Sequence, residues 1–205
     1  MTISSVQVLG QDDRKKPEAK SFTAEVNLNP FSSSPININY LRFRYFNSER
    51  SAIRIGFSIG VQNQTPAQEI TRKTFEFNFR PGYEWHLPGT DRLSPYFGIE
   101  ADLAVKTSSY KDADVDASLR EVKGAWSENG TERGFTRIGF NTVVGADFYV
   151  TKRVYVGTEF GFGFQRTNFS DIKVMYDTSD NKIRGGSDFQ LGPNFNSSIR
   201  LGFVF

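Results

Sequence analysis

The sequence has no cysteine and a single histidine. The first absence removes disulfide frameworks, thiol catalysis and thiolate metal sites; the second removes multi-histidine metal centres. No run approaches the ~20 apolar residues of a membrane-crossing helix, and the mean hydropathy is only −0.45. An excess of one charge is missing too. Lys and Arg number 25 against 23 Asp and Glu, a net charge of +2, so the basic footprint of a nucleic-acid-binding surface is absent. What abounds is phenylalanine, 20, and glycine, 18, among 205 residues, a length that suits one domain or one small barrel.

Order along the chain explains that pairing. Apolar and polar residues alternate over 22–28, 41–45, 53–61, 75–87, 97–105, 138–150, 154–164 and 195–205, as in Ile53, Ile55, Phe57, Ile59 and Val61. This is the period of strands with two unlike faces, and it predicts eight of them. None of the apolar-phase positions is charged, although the chain's 23% charge frequency would place roughly ten charges there. The opposite phase holds Glu25, Arg42, Arg44, Arg54, Glu76, Arg80, Glu84, Glu100, Asp102, Lys106, Arg137, Asp147, Glu159 and Arg200, acids and bases in equal number. Glycines share that phase, among them Gly56, Gly82, Gly98, Gly145, Gly157, Gly161 and Gly202.

Two architectures alternate in this way. A soluble sandwich or lipocalin-like barrel turns the apolar face inward; a membrane barrel turns it to lipid and the charges inward. A water-facing strand gains nothing from glycine, which weakens it through backbone entropy. A narrow lumen crowded with arginines needs small neighbours, and buried charges need matched partners. The expectation is therefore an all-β, eight-stranded antiparallel up-and-down transmembrane barrel with its charges inside. Connection lengths agree: the links after the second, fourth and sixth strands are short, and those after the third (62–74), fifth (107–136) and seventh (167–194) are long, as in an outer-membrane barrel with both termini periplasmic. Aromatics at the short-turn ends (Tyr45, Phe46, Tyr83, Trp85, Tyr96, Phe148, Tyr149, Tyr155 and Phe205) read as an interfacial girdle. Residues 1–10 read as the end of a secretory signal peptide, 11–20 as a charged periplasmic tail and 21–205 as the barrel.

Three segments carry a resemblance: Pro95-Tyr96-Phe97-Gly98-Ile99-Glu100, the hairpin from Gly145 to Gly157, and the terminal Ile199-Arg200-Leu201-Gly202-Phe203-Val204-Phe205. The chain resembles the small OmpA/OmpX-type outer-membrane β-barrels over nearly all of 22–205. The resemblance implies that Leu201, Phe203 and Phe205 form a C-terminal signal read by the barrel-assembly machinery. It also implies a superfamily that includes accessory subunits of larger outer-membrane machines.

Candidates for chemistry are few. His86, between Trp85 and Leu87 at a strand end, reads as an interfacial residue; a catalytic base would need a nucleophile and an orienting acid nearby. Asp112, Asp114 and Asp116 alternate in the long 107–136 connection, but Ala117 and Lys123 stand where a calcium loop wants Gly and Glu. Pro81 lies at a lipid-facing strand position, where it deletes a ladder bond and signals a bulge or a break. A phase change near Tyr40-Leu41 signals a second bulge. No cofactor or metal is expected. The function expected is non-enzymatic: a structural or interaction barrel in contact with outer-membrane lipid and other outer-membrane proteins, as an accessory subunit for secretion, uptake or barrel assembly. The alternative is a narrow passive channel or conduit for small or hydrophobic molecules.

Overall fold

The structure is a computed structural model that describes residues 15–28, 36–114 and 118–205. The signal-peptide segment, the first residues of the tail, the connection after the first strand and Asp116 lie outside the described residues. Eleven strands follow one another: β1 (Phe22–Leu28), β2 (Ile36–Ser48), β3 (Ser51–Ala67), β4 (Ile70–His86), β5 (Leu93–Asp112), β6 (Leu119–Lys123), β7 (Phe135–Tyr149), β8 (Val154–Phe169), β9 (Ile172–Tyr176), β10 (Asp180–Ile183) and β11 (Ser187–Val204). Eight of them close a ring of antiparallel pairs, β1-β2-β3-β4-β5-β7-β8-β11, with β11 returning to β1. The period-2 pattern dictates this result, because each strand has one face for each of two environments.

Which environment lies where is decided by burial. The largest fully buried side chains are arginines: Arg42, Arg44, Arg54 and Arg200. Ile53, Ile55, Phe75, Phe97, Phe140, Val144, Phe160, Phe162 and Phe203 point outward and are exposed. A soluble barrel inverts that arrangement. An apolar outer wall this continuous far exceeds the patches that soluble monomers tolerate, and it is the outer face of a transmembrane barrel.

The ring strands β2, β3, β4, β5, β7, β8 and β11 have 13 to 20 residues, more than the ~9–11 needed to cross a bilayer. They run on past the apolar band. The 62–74 connection is thus not a loop but a projecting hairpin, with Ala67 paired to Ile70 across Gln68-Glu69. The two longer connections also fold. Strand β6 pairs with the outer end of β5, β9 with β6, and β10 with β9, and this small sheet has its own core of Tyr110, Val122, Ala125, Ile172 and Val174. Gly124 makes the turn behind β6 at φ +89°, where an added Cβ would meet the Asp171 carbonyl. Lys182 binds Asp171 at 2.7 Å and the Gly185 N–H donates to it at 2.9 Å, which holds this carboxyl below its ordinary value.

The predicted irregularities resolve differently. Pro81 stays in register with Ile55 of β3, and β4 meets β5 in the same register on both sides of it, Phe79 with Leu103 and Gly82 with Glu100. The strand neither bulges nor breaks; rungs are missing on the β5 side, where the absent N–H would have donated. In β1–β2 the pairing jumps from Val26–Leu41 to Asn27–Asn37, a bulge that ends just before Leu41, while Tyr40 keeps its register with β3 and shares the inward phase of Arg42. The start of β1 and the residue after β11 meet on the short-turn side, where the Phe205 N–H donates to the Phe22 carbonyl at 2.9 Å.

Candidate functional site

Among the described residues, buried charge concentrates in the lumen, and register builds it. Several bulky charges sit beside a glycine on a neighbouring strand: Arg54 and Glu100 flank Gly82, Arg42 and Arg80 flank Gly56, and Asp147 and Arg200 flank Gly157. At Gly157 an added Cβ would strike the Asp147 carboxylate and lie 2.7 Å from an Arg200 nitrogen. Gly157→Ala is expected to destabilise the barrel by about 1–3 kcal/mol, as over-packing of a filled interior does. Urea titration in detergent, followed by the heat-dependent gel mobility of the folded barrel, measures it; an unchanged midpoint would mean that the lumen has slack.

Four guanidiniums and five carboxylates form the plug. Arg44 bridges Glu25 (2.6 Å), Asp147 (2.7 Å) and Glu84 (3.0 Å). Arg54 bridges Glu100 (2.8 Å), Glu159 (2.8 Å) and Glu84 (3.0 Å). Arg200 joins Glu25 and Asp147, both at 2.9 Å, and Arg42 joins Glu159 at 3.2 Å and Glu25 at 3.5 Å. The Tyr155 hydroxyl donates to Glu25 at 2.7 Å and the Tyr96 hydroxyl to Glu159. The Arg44 guanidinium lies 5.1 Å from the centre of the Tyr155 ring. Shared carboxylates and aromatic faces give every plug arginine at least two anionic partners within the buried interior.

The remaining inward-phase charges sit nearer the loop side and are less enclosed. Asp102 is buried, with Arg80 at 3.0 Å and Arg137 at 3.6 Å. Lys106 is bound by Glu132 of the connection before β7. Glu76 is half-buried on β4 in register with Lys106.

Aromatics at the short-turn end divide between the two faces. Tyr45, Trp85, Phe148 and Phe205 point outward, and Tyr83 is half-exposed on the same face. Tyr96 and Tyr155, expected in the interfacial girdle, are buried in the lumen, as are Phe46 and Tyr149. The Tyr96 and Tyr155 hydroxyls serve carboxylates, and the inward position of all four follows from strand phase. His86 is corrected in the same way. It is buried between Phe46 and Tyr96, ring centres 5.1 and 5.3 Å away, with Nδ1 at 2.9 Å from the Ser94 hydroxyl and Nε2 at 3.3 Å from Glu84. A hydroxyl, an imidazole and a carboxylate therefore do meet. However, Glu84 is held by two arginines and Ser94 is buried, so the trio ties the end of the plug together.

Leu201 and Phe203 line the outer wall of β11, and Phe205 follows it, exposed. In the aspartate run, Asp112 accepts from the Tyr110 hydroxyl and the Asp114 N–H. Among the described residues no group of His, Asp and Glu is placed to hold a metal.

No family model matches the chain, and no curated protein does. Solved structures similar to it are outer-membrane proteins. OprG from Pseudomonas aeruginosa is 11% identical over 93% of this chain and 98% of that one, with a TM-score of 0.46. Ail, the attachment invasion locus protein of Yersinia pestis, is 10% identical over 92% and 100%, with a TM-score of 0.41. The N-terminal β-barrel domain of P. aeruginosa OprF is 11% identical over 92% and 100%, with a TM-score of 0.35. At these values the likeness is one of general architecture, and the plug stands on its own geometry.

Proposed function

We propose that the chain is a non-enzymatic structural and interaction barrel of a Gram-negative outer membrane, an accessory subunit of a larger outer-membrane assembly, with both termini periplasmic. The observation that carries this reading is the plug. Eight strands leave an interior that side chains fill, and the ten contacts of the four arginines span it from β1 to β11. With the barrel blocked by the plug, the surfaces left for a protein partner are the lipid-facing wall and the loop-side sheet of β6, β9 and β10. Its separate hydrophobic core makes that sheet a firm platform, unlike a solvated loop. The outward Leu201, Phe203 and Phe205 suit a signal for the barrel-assembly machinery.

The test has two readouts. Purified protein in a planar bilayer is expected to give no stable conductance steps, and mild-detergent extraction after cross-linking in cells is expected to recover other outer-membrane proteins with it. Reproducible steps would reassign it as a narrow channel, and recovery of the chain alone would remove the accessory role.

A further inference from the structure

We propose that the cavity above the plug is a binding site for a small solute oxyanion, a carboxylate or phosphate group, clamped between Arg80 and Arg137. The cavity has a volume of about 350 Å³, at the small end for ligand sites. Its floor is the top of the plug, Arg42 with Glu159 and Glu100, and its wall is Arg80 of β4, Asp102 of β5 and Arg137 of β7. The floor belongs to the plug, where five carboxylates meet four guanidiniums; on the wall the ratio is reversed. Two guanidiniums share one carboxylate, and the Asn78 amide also donates to that carboxylate at 2.6 Å. The wall therefore holds one positive charge in excess.

Hydrogen bonding shows the same deficit. Arg137 stands 3.6 Å from Asp102, beyond hydrogen-bond range. Both guanidiniums are nonetheless held in place, Arg80 over the Tyr40 ring at 5.4 Å and Arg137 over Phe135 at 5.6 Å. A ring face orients a guanidinium without occupying its N–H groups. Both side chains keep 29% and 21% of their surface, whereas the plug arginines keep 2% or less. The nearest further cation on this wall, Lys106, is taken by Glu132. What remains is a pair of oriented, partly exposed forks that share a single carboxylate, and a two-oxygen anionic group matches them.

The experiment is equilibrium dialysis of the intact chain in neutral detergent at low ionic strength, where exposed charges are least screened, with labelled inorganic phosphate and labelled succinate as probes. One saturable site per chain is expected for at least one probe; which probe binds assigns the site to phosphate or carboxylate. Arg80→Gln and Arg137→Gln are each expected to weaken binding by roughly tenfold or more. Asp102→Asn is expected to strengthen it, because it removes the competing carboxylate; a merely loosened barrel would not move in that direction. The proposal is overturned by any of three results: neither probe saturates, both glutamine variants bind as the parent does, or Asp102→Asn weakens binding as they do.

Discussion

Arg44→Met is expected to abolish the folded barrel or nearly so, with a loss of about 3–5 kcal/mol or more. The residue is fully buried and holds Glu25, Asp147 and Glu84 at 2.6, 2.7 and 3.0 Å. A methionine fills much of the volume and leaves the carboxylates facing one another. Arg200 still reaches Glu25 and Asp147, and Arg54 still reaches Glu84, but three cations then face five anions. Domains of ordinary stability hold only about 5–15 kcal/mol in all, so the folded band should disappear from unheated gels. The double variant Arg44→Gln with Asp147→Asn restores the original charge difference and should regain at least half of the loss. If Arg44→Met retained the parent's urea midpoint, the plug would not be a closed, water-poor network.

The loss is expected to be this large because the arrangement is shared. Arg44 and Arg54 meet at Glu84, Arg44 and Arg200 meet at both Glu25 and Asp147, and Arg42 and Arg54 meet at Glu159. No pair can be removed without changing the coordination of another, so single deletions should cost more than the pairs are worth in isolation. The same sharing explains the glycines. A guanidinium that must reach two strands away crosses the face of the strand between, and Gly82 and Gly157 leave room for it, whereas Gly56 makes room for the Tyr40 ring.

Much of this was legible in residue phase alone. Alternation placed the eight ring strands, and the uncharged phase marked their outer face. Tyr96, Tyr155 and His86 lie inside, against the expectation from residue type, because strand phase decides which face a side chain joins. Tyr96 shares the phase of Gly98 and Glu100, Tyr155 that of Gly157 and Glu159, and His86 that of Glu84, all of them inward. Tyrosine near a strand end suits a lipid interface and equally suits a lumen full of carboxylates, and only period separates the two. The outer sheet was less visible. Its strands have four or five residues, and their composition is that of loops. Ile172, Val174 and Tyr176 do alternate, but three positions are too few to stand out, and their partners Tyr110 and Val122 come from a different connection. The sharing of Asp102 by two arginines had no sequence signal at all, since β4 and β7 meet only through β5.

Val144→Arg is expected to destabilise the protein by about 2–4 kcal/mol in lipid, the cost of a charge near the middle of a barrel's outer wall. Val144 is 60% exposed on β7, between Phe97 and Phe160 in the flanking strands and several rungs from either end of the apolar band. Its neighbour Val143 points inward and is 4% exposed, so the substitution leaves the lumen untouched. Chemical denaturation in short-chain lipid vesicles measures the effect, with Val150→Arg at the short-turn margin as the companion. There the guanidinium can reach the headgroups, and the loss should fall to about 0–1 kcal/mol. The sign and the gradient matter more than the size. On a water-facing wall both arginines would be neutral or would raise solubility, with no dependence on position along the strand. A flat response across the two sites would therefore place this wall in water and the whole arrangement with it. A loss that deepens toward Val144 follows only from a hydrocarbon layer.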